Sequence, residues 1–178
     1  MAEDKKEPWL NYLALTTVIL AVCATLSTFK GGGFSTRSVM SQSQASDQWA
    51  YYQAKAIKSY IYQMQADKIE MDLIGTRKGA TAEVVKKYED KIADYRKRVE
   101  KYEKEKGEIE QGAKDLEKIR DESQLHSRQF GVAVIYLQIS ILLSSIAGLL
   151  KKKPVWYAGL ATGAVGLVFF ANGFWLFI

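Results

Sequence analysis

Residues 129–150 read QFGVAVIYLQISILLSSIAGLL, a run of 22 residues without one Asp, Glu, Lys or Arg. A single helix of that length crosses a hydrocarbon core about 30 Å thick at 1.5 Å per residue. Within a bilayer, only a helix or a closed barrel satisfies the backbone of a spanning segment. The residues just before it are opposite in character: 82–128 are dense in Lys, Arg, Asp and Glu and contain no proline. With no turn signal between them, a charged helix is expected to run straight into an apolar one. That junction decides the fold class.

Two further segments, residues 9–29 and 155–178, are also free of charge. The chain's averages hide this. With 48% hydrophobic and 25% charged residues, a formal charge of +5 and a mean hydropathy of −0.15, the whole resembles an ordinary soluble domain. The charges, however, are confined to the remaining segments, which excludes both a soluble globule and a disordered chain. The expectation is three transmembrane helices at 9–29, 129–150 and 155–178, an N-terminal tail at 1–8, a polar region at 30–128 and a basic turn at 151–154. Pro8 and Pro154 stand at the starts of spans, where a missing N–H costs nothing. Trp9, Tyr12, Trp156, Tyr157 and Trp175 sit where interfacial aromatic anchors belong.

The first charge-free run is long for the apolar part of a signal peptide, so it reads as a retained span. Leu20-Ala21-Val22-Cys23 has Val22 where a lipoprotein signal wants a small residue. Cys23, the one cysteine, therefore reads as an apolar residue within a helix and has no disulfide partner in the chain. Lys151, Lys152 and Lys153 crowd a very short loop, which favours the cytoplasmic side and contact with lipid headgroups. Lys5 and Lys6 then lie on that side too, with residues 30–128 outside. Lys30, Arg37, Lys118, Arg120 and Arg128 oppose this assignment from the other flank, but long loops translocate largely regardless of charge.

The polar region carries 20 basic and 17 acidic side chains and no proline. Gly31-Gly32-Gly33 is expected to end the first span in a flexible joint, and residues 75–79, Gly-Thr-Arg-Lys-Gly, to form a turn between helical arms at 35–74 and 80–128. Thr81 and Glu83 are placed to start the second arm. In it, Val85, Tyr88, Ile92, Tyr95, Val99, Tyr102, Lys106, Ile109, Ala113 and Leu116 alternate steps of three and four, the seam of a coiled coil. Ile119 arrives one residue early, a stammer-like shift, and Lys106 with Gly107 and Gly112 marks a weak zone. In the first arm Ala45, Trp49, Tyr52, Ala56, Tyr60 and Met64 supply a partner seam. Two helices joined by a short turn pack antiparallel, giving a helical hairpin stalk with arms of roughly 60–75 Å.

Chemical signatures are sparse. The glycine runs lack the phosphate-loop spacing and its Lys-Ser/Thr ending. The single histidine, His126, lies four residues after Glu122 and reads as half of a hydrogen-bonded pair on a helix surface, with too few ligands for a metal. No nucleophile–base pair stands out, so no catalytic residue, metal or cofactor is assigned and an enzyme is not expected. The polar region's acids interleave its bases, which excludes the one-sided basic stripe of a nucleic-acid face. The spans are more informative about association: Thr17, Ala21 and Thr25 recur every four residues in the first, and Ser140, Ser144 and Gly148 in the second. Gly159, Gly166 and Gly173 recur every seven in the third, with Gly163 completing G-x-x-x-G after Gly159. Small residues on one face let helices approach closely, either within the three-helix unit or between subunits. The uncharged amides Asn11, Gln138 and Asn172 are expected to hydrogen-bond between helices.

Residues 46–58, Ser-Asp-Gln-Trp-Ala-Tyr-Tyr-Gln-Ala-Lys-Ala-Ile-Lys, resemble the signature of a bacterial membrane family known as domain of unknown function 4337. That family is similar in layout, with one N-terminal span, a long helical polar region and two C-terminal spans. The resemblance implies a bacterial cytoplasmic membrane and singles out Asp47, Trp49, Tyr51, Tyr52, Gln53 and Lys55 without giving them a catalytic role. Together these features point to a structural or interaction protein that self-associates, with the bilayer, further copies and other membrane proteins as partners. Two alternatives stay open: an accessory or assembly subunit of a membrane enzyme complex, and a small oligomeric channel. Topology has a direct check: with Cys23→Ser as background, a cysteine at Thr76 is expected to react with an impermeant thiol reagent from outside and one at Lys152 to be protected. The opposite pattern inverts the orientation.

Overall fold

A computed structural model describes residues 8–177; the N-terminal tail with Lys5 and Lys6, and Ile178 at the end of the third span, lie outside the described residues. The structure is all-helical: α1 (Pro8–Thr76), α2 (Ala82–Leu150) and α3 (Lys153–Trp175). Each contains a stretch long and apolar enough to cross a membrane, consistent with a membrane protein. α2 runs from the charged segment into the apolar one without a break. α1 also continues through Gly31-Gly32-Gly33, so the expected joint there is not a break. Each helical glycine costs about 0.5–1 kcal/mol relative to alanine, but Gly31 is fixed by packing: its carbonyl accepts from Ser127 Oγ at 3.0 Å, and a Cβ on it would lie 3.0 Å from Phe130 Cβ.

The ends of the helices follow local chemistry. Thr76 Oγ1 donates to the Asp72 carbonyl, and the Gly79 N–H to the Thr76 carbonyl, closing α1 at the expected turn. Val85 N–H donates back to the Thr81 carbonyl, with Glu83 in the first turn of α2, where an acid suits the helix dipole. Between α2 and α3 the chain reverses through Lys151 in the left-handed region, φ 50°, with Pro154 in the first turn of α3.

The described chain falls into two compact units: one made of the residues up to Met40 and from Ile119 onward, the other Ser41–Lys118. Residues 30–40 and 119–128 thus belong with the apolar segments rather than with the polar arms, because Phe34, His126 and Phe130 stack there.

In the first unit all three helices pack together. Leu20 and Ala24 of α1 meet Ala133 and Leu137 of α2, with Phe169 and Phe170 of α3 against them. Trp9, Ala147 and Trp156 form a second cluster. α3 lies on α2 through its glycines. A Cβ on Gly159 would stand 3.3 Å from the Ser140 carbonyl oxygen, on Gly163 2.7 Å from Ser140 Oγ, on Gly166 2.9 Å from Leu137 Cγ and on Gly173 2.7 Å from Phe130 Cε1.

In the second unit, partners on α2 descend as those on α1 ascend: Trp49 with Glu117, Lys55 with Glu105, Ser59 with Glu103, Tyr62 with Tyr102, Glu70 with Arg96. All ten expected seam positions from Val85 to Leu116 are buried or half-buried. Ile119 does not shift the phase, since Ser123, Phe130, Leu137 and Ser144, each buried, follow Leu116 at intervals of seven. On α1 the inward stripe corrects expectation. Tyr60 and Met64 are exposed, and the buried line passes through Ser59, Tyr62, Ala66 and Leu73.

Gly166→Ala is expected to destabilise the three-helix unit by roughly 1–3 kcal/mol, the range for overpacking, because Leu137 Cγ and its backbone nitrogen at 3.0 Å leave no room. Gly32→Ala, which meets nothing within 4 Å, is expected to stabilise by about 0.5–1 kcal/mol. Denaturation in mixed detergent micelles reads both, and equal effects would contradict this packing.

Candidate functional site

Two constellations stand out, one in each unit. In the first unit a single layer ties the three helices around Phe130, whose side chain is fully buried. Gly31 and Gly173 leave space on either side of it, and Phe34, Phe170 and Phe174 place their ring centroids 6.0, 6.2 and 5.0 Å away. One turn earlier on α2, His126 Nδ1 lies 2.8 Å from the Gly173 carbonyl. A carbonyl only accepts, so Nδ1 carries the proton and donates; Phe34 stacks on the imidazole at 4.5 Å. The expectation of a surface pair thus gives way to a histidine turned toward α3. His126 and Ser127 bind backbone carbonyls of α3 and α1, which makes the layer a polar brace around an aromatic plug.

The small-residue faces divide. Ser140 and Ser144 are fully buried, Ser140 Oγ donating to the Gly159 carbonyl at 2.6 Å, while Ser144 Oγ has no hydrogen-bond partner among the described residues. Gly148 meets Leu13, and Gly159, Gly163, Gly166 and Gly173 are buried against α2. These two faces are therefore used inside the unit. On α1 the outcome differs: Thr17 is half-buried, and Ala21 and Thr25 are exposed. The hydroxyls of Thr17 and Thr25 donate to the Leu13 and Ala21 carbonyls of their own helix. Asn172 is fully buried and serves the end of α3, its Oδ1 accepting from the Phe177 N–H at 2.7 Å; Asn11 and Gln138 are exposed. Lys151, Lys152 and Lys153 are all exposed, and a few residues on, Trp156 pairs with Trp9, their ring centroids 5.9 Å apart.

In the second unit the segment 46–58 is where α1 grips α2. Trp49 Nε1 donates to Glu117 Oε1 at 3.0 Å, and its ring meets Tyr52 edge-on at 5.6 Å. Lys55 pairs with Glu105 and lies over the rings of Tyr51 and Tyr102 at 5.0 and 5.3 Å. Asp47 and Gln53 face outward. Lys106, expected to weaken the seam, is instead enclosed: Glu103 binds it at 2.9 Å, and the rings of Tyr52 and Tyr60 lie 5.4 and 5.7 Å from its ammonium. Sequence reading missed Glu103, Glu105 and Glu117, because a glutamate beside a seam looks like a solvated one until its partner on the other helix is known. Among the described residues no group of three or more His, Cys, Asp or Glu is placed to hold a metal ion.

Hydrogen bonds from Lys106 and Ser59 hold the Glu103 carboxyl below its ordinary value, and the bond to Lys55 does the same for Glu105. Lys106 and Lys55 are raised by those same carboxylates. A depressed carboxylate stabilises the folded second unit above the ordinary 4.5, and that contribution fades as pH falls through the lower folded value. A raised lysine contributes below 10.5 and fades as pH climbs past it. Thermal stability of the second unit is expected to be flat between those limits and to drop outside them, with Glu103→Gln blunting the acid limb. Circular dichroism melts against pH check this; an unchanged acid limb in Glu103→Gln would remove Glu103 from the account.

A family model described as Domain of unknown function (DUF4337) matches residues 9–176. No curated protein and no solved structure matches the chain.

Proposed function

The chain belongs to the DUF4337 family, and from that premise we propose that it is an integral membrane scaffold: a three-span anchor bearing an antiparallel helical hairpin with coiled-coil packing, which self-associates. One observation carries the reading. Of the three small-residue faces in the spans, two are consumed within the anchor, while Ala21 and Thr25 remain exposed with threonine hydroxyls satisfied by their own helix. A face of small side chains with no polar demand suits another helix at close range, where packing drives association in lipid.

The location is a bacterial cytoplasmic membrane, with Lys151–Lys153 at the cytoplasmic headgroups and the hairpin outside. Supporting this are the family resemblance, the three apolar helices and the crowding of lysine beside Trp9, Trp156 and Tyr157. The cross-helix pairs of the second unit, from Trp49–Glu117 to Glu70–Arg96, support a single register for the hairpin. The role is mechanical and organisational: to present a rigid pair of helices at the membrane and to hold copies together.

Crosslinking in native membranes followed by sizing tests this. Oligomers are expected for the natural sequence, with Ala21→Leu plus Thr25→Leu lowering their yield several-fold. Monomer alone at every crosslinker dose would overturn the proposal.

A further inference from the structure

On α1 of the second unit the face opposite α2 is also apolar. Ile57, Met64 and Met71 recur every seven residues with Ile61 between them, and they are 48 to 73% exposed. On α2 of that unit Val84 is the one large hydrophobic that is exposed. A helix with apolar stripes on two opposite faces is built to be covered on both. We infer that this outer stripe of α1 is the surface on which a second copy of the chain docks, α1 beside α1 and running the same way; this rests on the scaffold reading above and names its partner.

Three features select that occupant. The seven-residue period is that of a supercoiled helix pair, so the partner is a helix rather than a sheet or a lipid tail. The stripe is confined to α1, so a two-fold pairing of identical faces covers both stripes at once and leaves the charged α2 outermost. Its single charge, Lys68, follows Met64 by four and precedes Met71 by three, a seam position; Asp67 and Asp72 flank it. In a parallel pair each Lys68 comes beside the acids of the other copy, and one lysine at such a position fixes register and pair number at a cost in stability. Copies inserted alike in one bilayer run their α1 helices in the same direction, which is the orientation this needs. Methionine, unbranched and adaptable, suits an interface that forms after each copy has folded.

The test uses the full chain in native membranes on a Cys23→Ser background, with single cysteines at Ile57, Met64 and, as control, Lys97 on α2. Mild oxidation is expected to link Ile57→Cys and Met64→Cys each to its own counterpart and to leave Lys97→Cys monomeric. Lys68→Asp is expected to cut the Met64→Cys dimer at least tenfold, whereas Lys68→Met retains it. Because Ile61 is exposed, Ile61→Glu is expected to abolish the dimer with helical content unchanged. If neither arm position links while Thr25→Cys in the span still does, this proposal falls and the scaffold reading stands. If nothing links and sizing gives monomer, both fall. An adduct of a different mass at Met64→Cys would assign the face to another protein and overturn the second-copy assignment.

Discussion

Phe130 fills a space that exists because residues 31 and 173 have no side chain. Remove that vacancy at either glycine and the three helices cannot hold their present separation, since interiors are packed too densely to absorb a methyl group without moving neighbours. The remaining contacts of the first unit follow from it. His126 reaches the Gly173 carbonyl and Ser127 the Gly31 carbonyl only because backbone, not side chain, faces α2 at those two points. Down α3 the same logic repeats at Gly166, Gly163 and Gly159, each matched to a Leu137 or Ser140 atom near the limit of contact. Shape therefore sets the arrangement here, which is what lipid leaves available once water is gone.

The second unit solves the opposite problem. Its helices are heavily charged, and they meet through aromatic rings used on both face and edge. Tyr52, Tyr60, Tyr62 and Tyr102 each lie beneath a lysine or arginine, and carboxylates from α2 (Glu103, Glu105 and Asp94) neutralise those cations. A buried lone lysine would be costly. Lys106 is tolerated because its charge is matched by Glu103 and its stem and head are sheathed by two rings. Trp49, Tyr52 and Lys55 thus identify the segment where α1 and α2 are locked in register.

The residues that could be read in advance are those whose burial is advertised by size. The buried and half-buried positions of α2 from Val85 to Leu116 were legible because Tyr, Ile, Val and Leu mark them, with Lys106 recoverable from position alone. The α1 stripe was legible only from Ala45 to Ala56; Ser41, Ser59 and Ala66, which also fill it, have no hydropathy contrast with their neighbours. A larger residue on the other face, Met64, drew the pattern toward the wrong side. Gly31-Gly32-Gly33 misled for a related reason: composition signals a joint, while Phe130 and Ser127 from another helix hold the segment helical. Among the candidate residues, the serines and glycines of α2 and α3 could be picked out from spacing, but which faces would be spent internally depended on the three-helix packing.

The glycine face of α3 also sets how the protein responds to temperature. In the proposed membrane anchor, where helices meet through Gly163 on Ser140 and Gly166 on Leu137, no hydration shell is released, so the large heat-capacity change that accompanies apolar burial from water is missing. Cooling leaves such a contact nearly as strong as before. The ring-on-cation contacts of Lys55, Arg98 and Lys106 with tyrosines bury apolar surface of the polar arms, and those weaken in the cold. One continuous helix, α1, therefore joins a part with flat thermal behaviour to a part whose stability is curved.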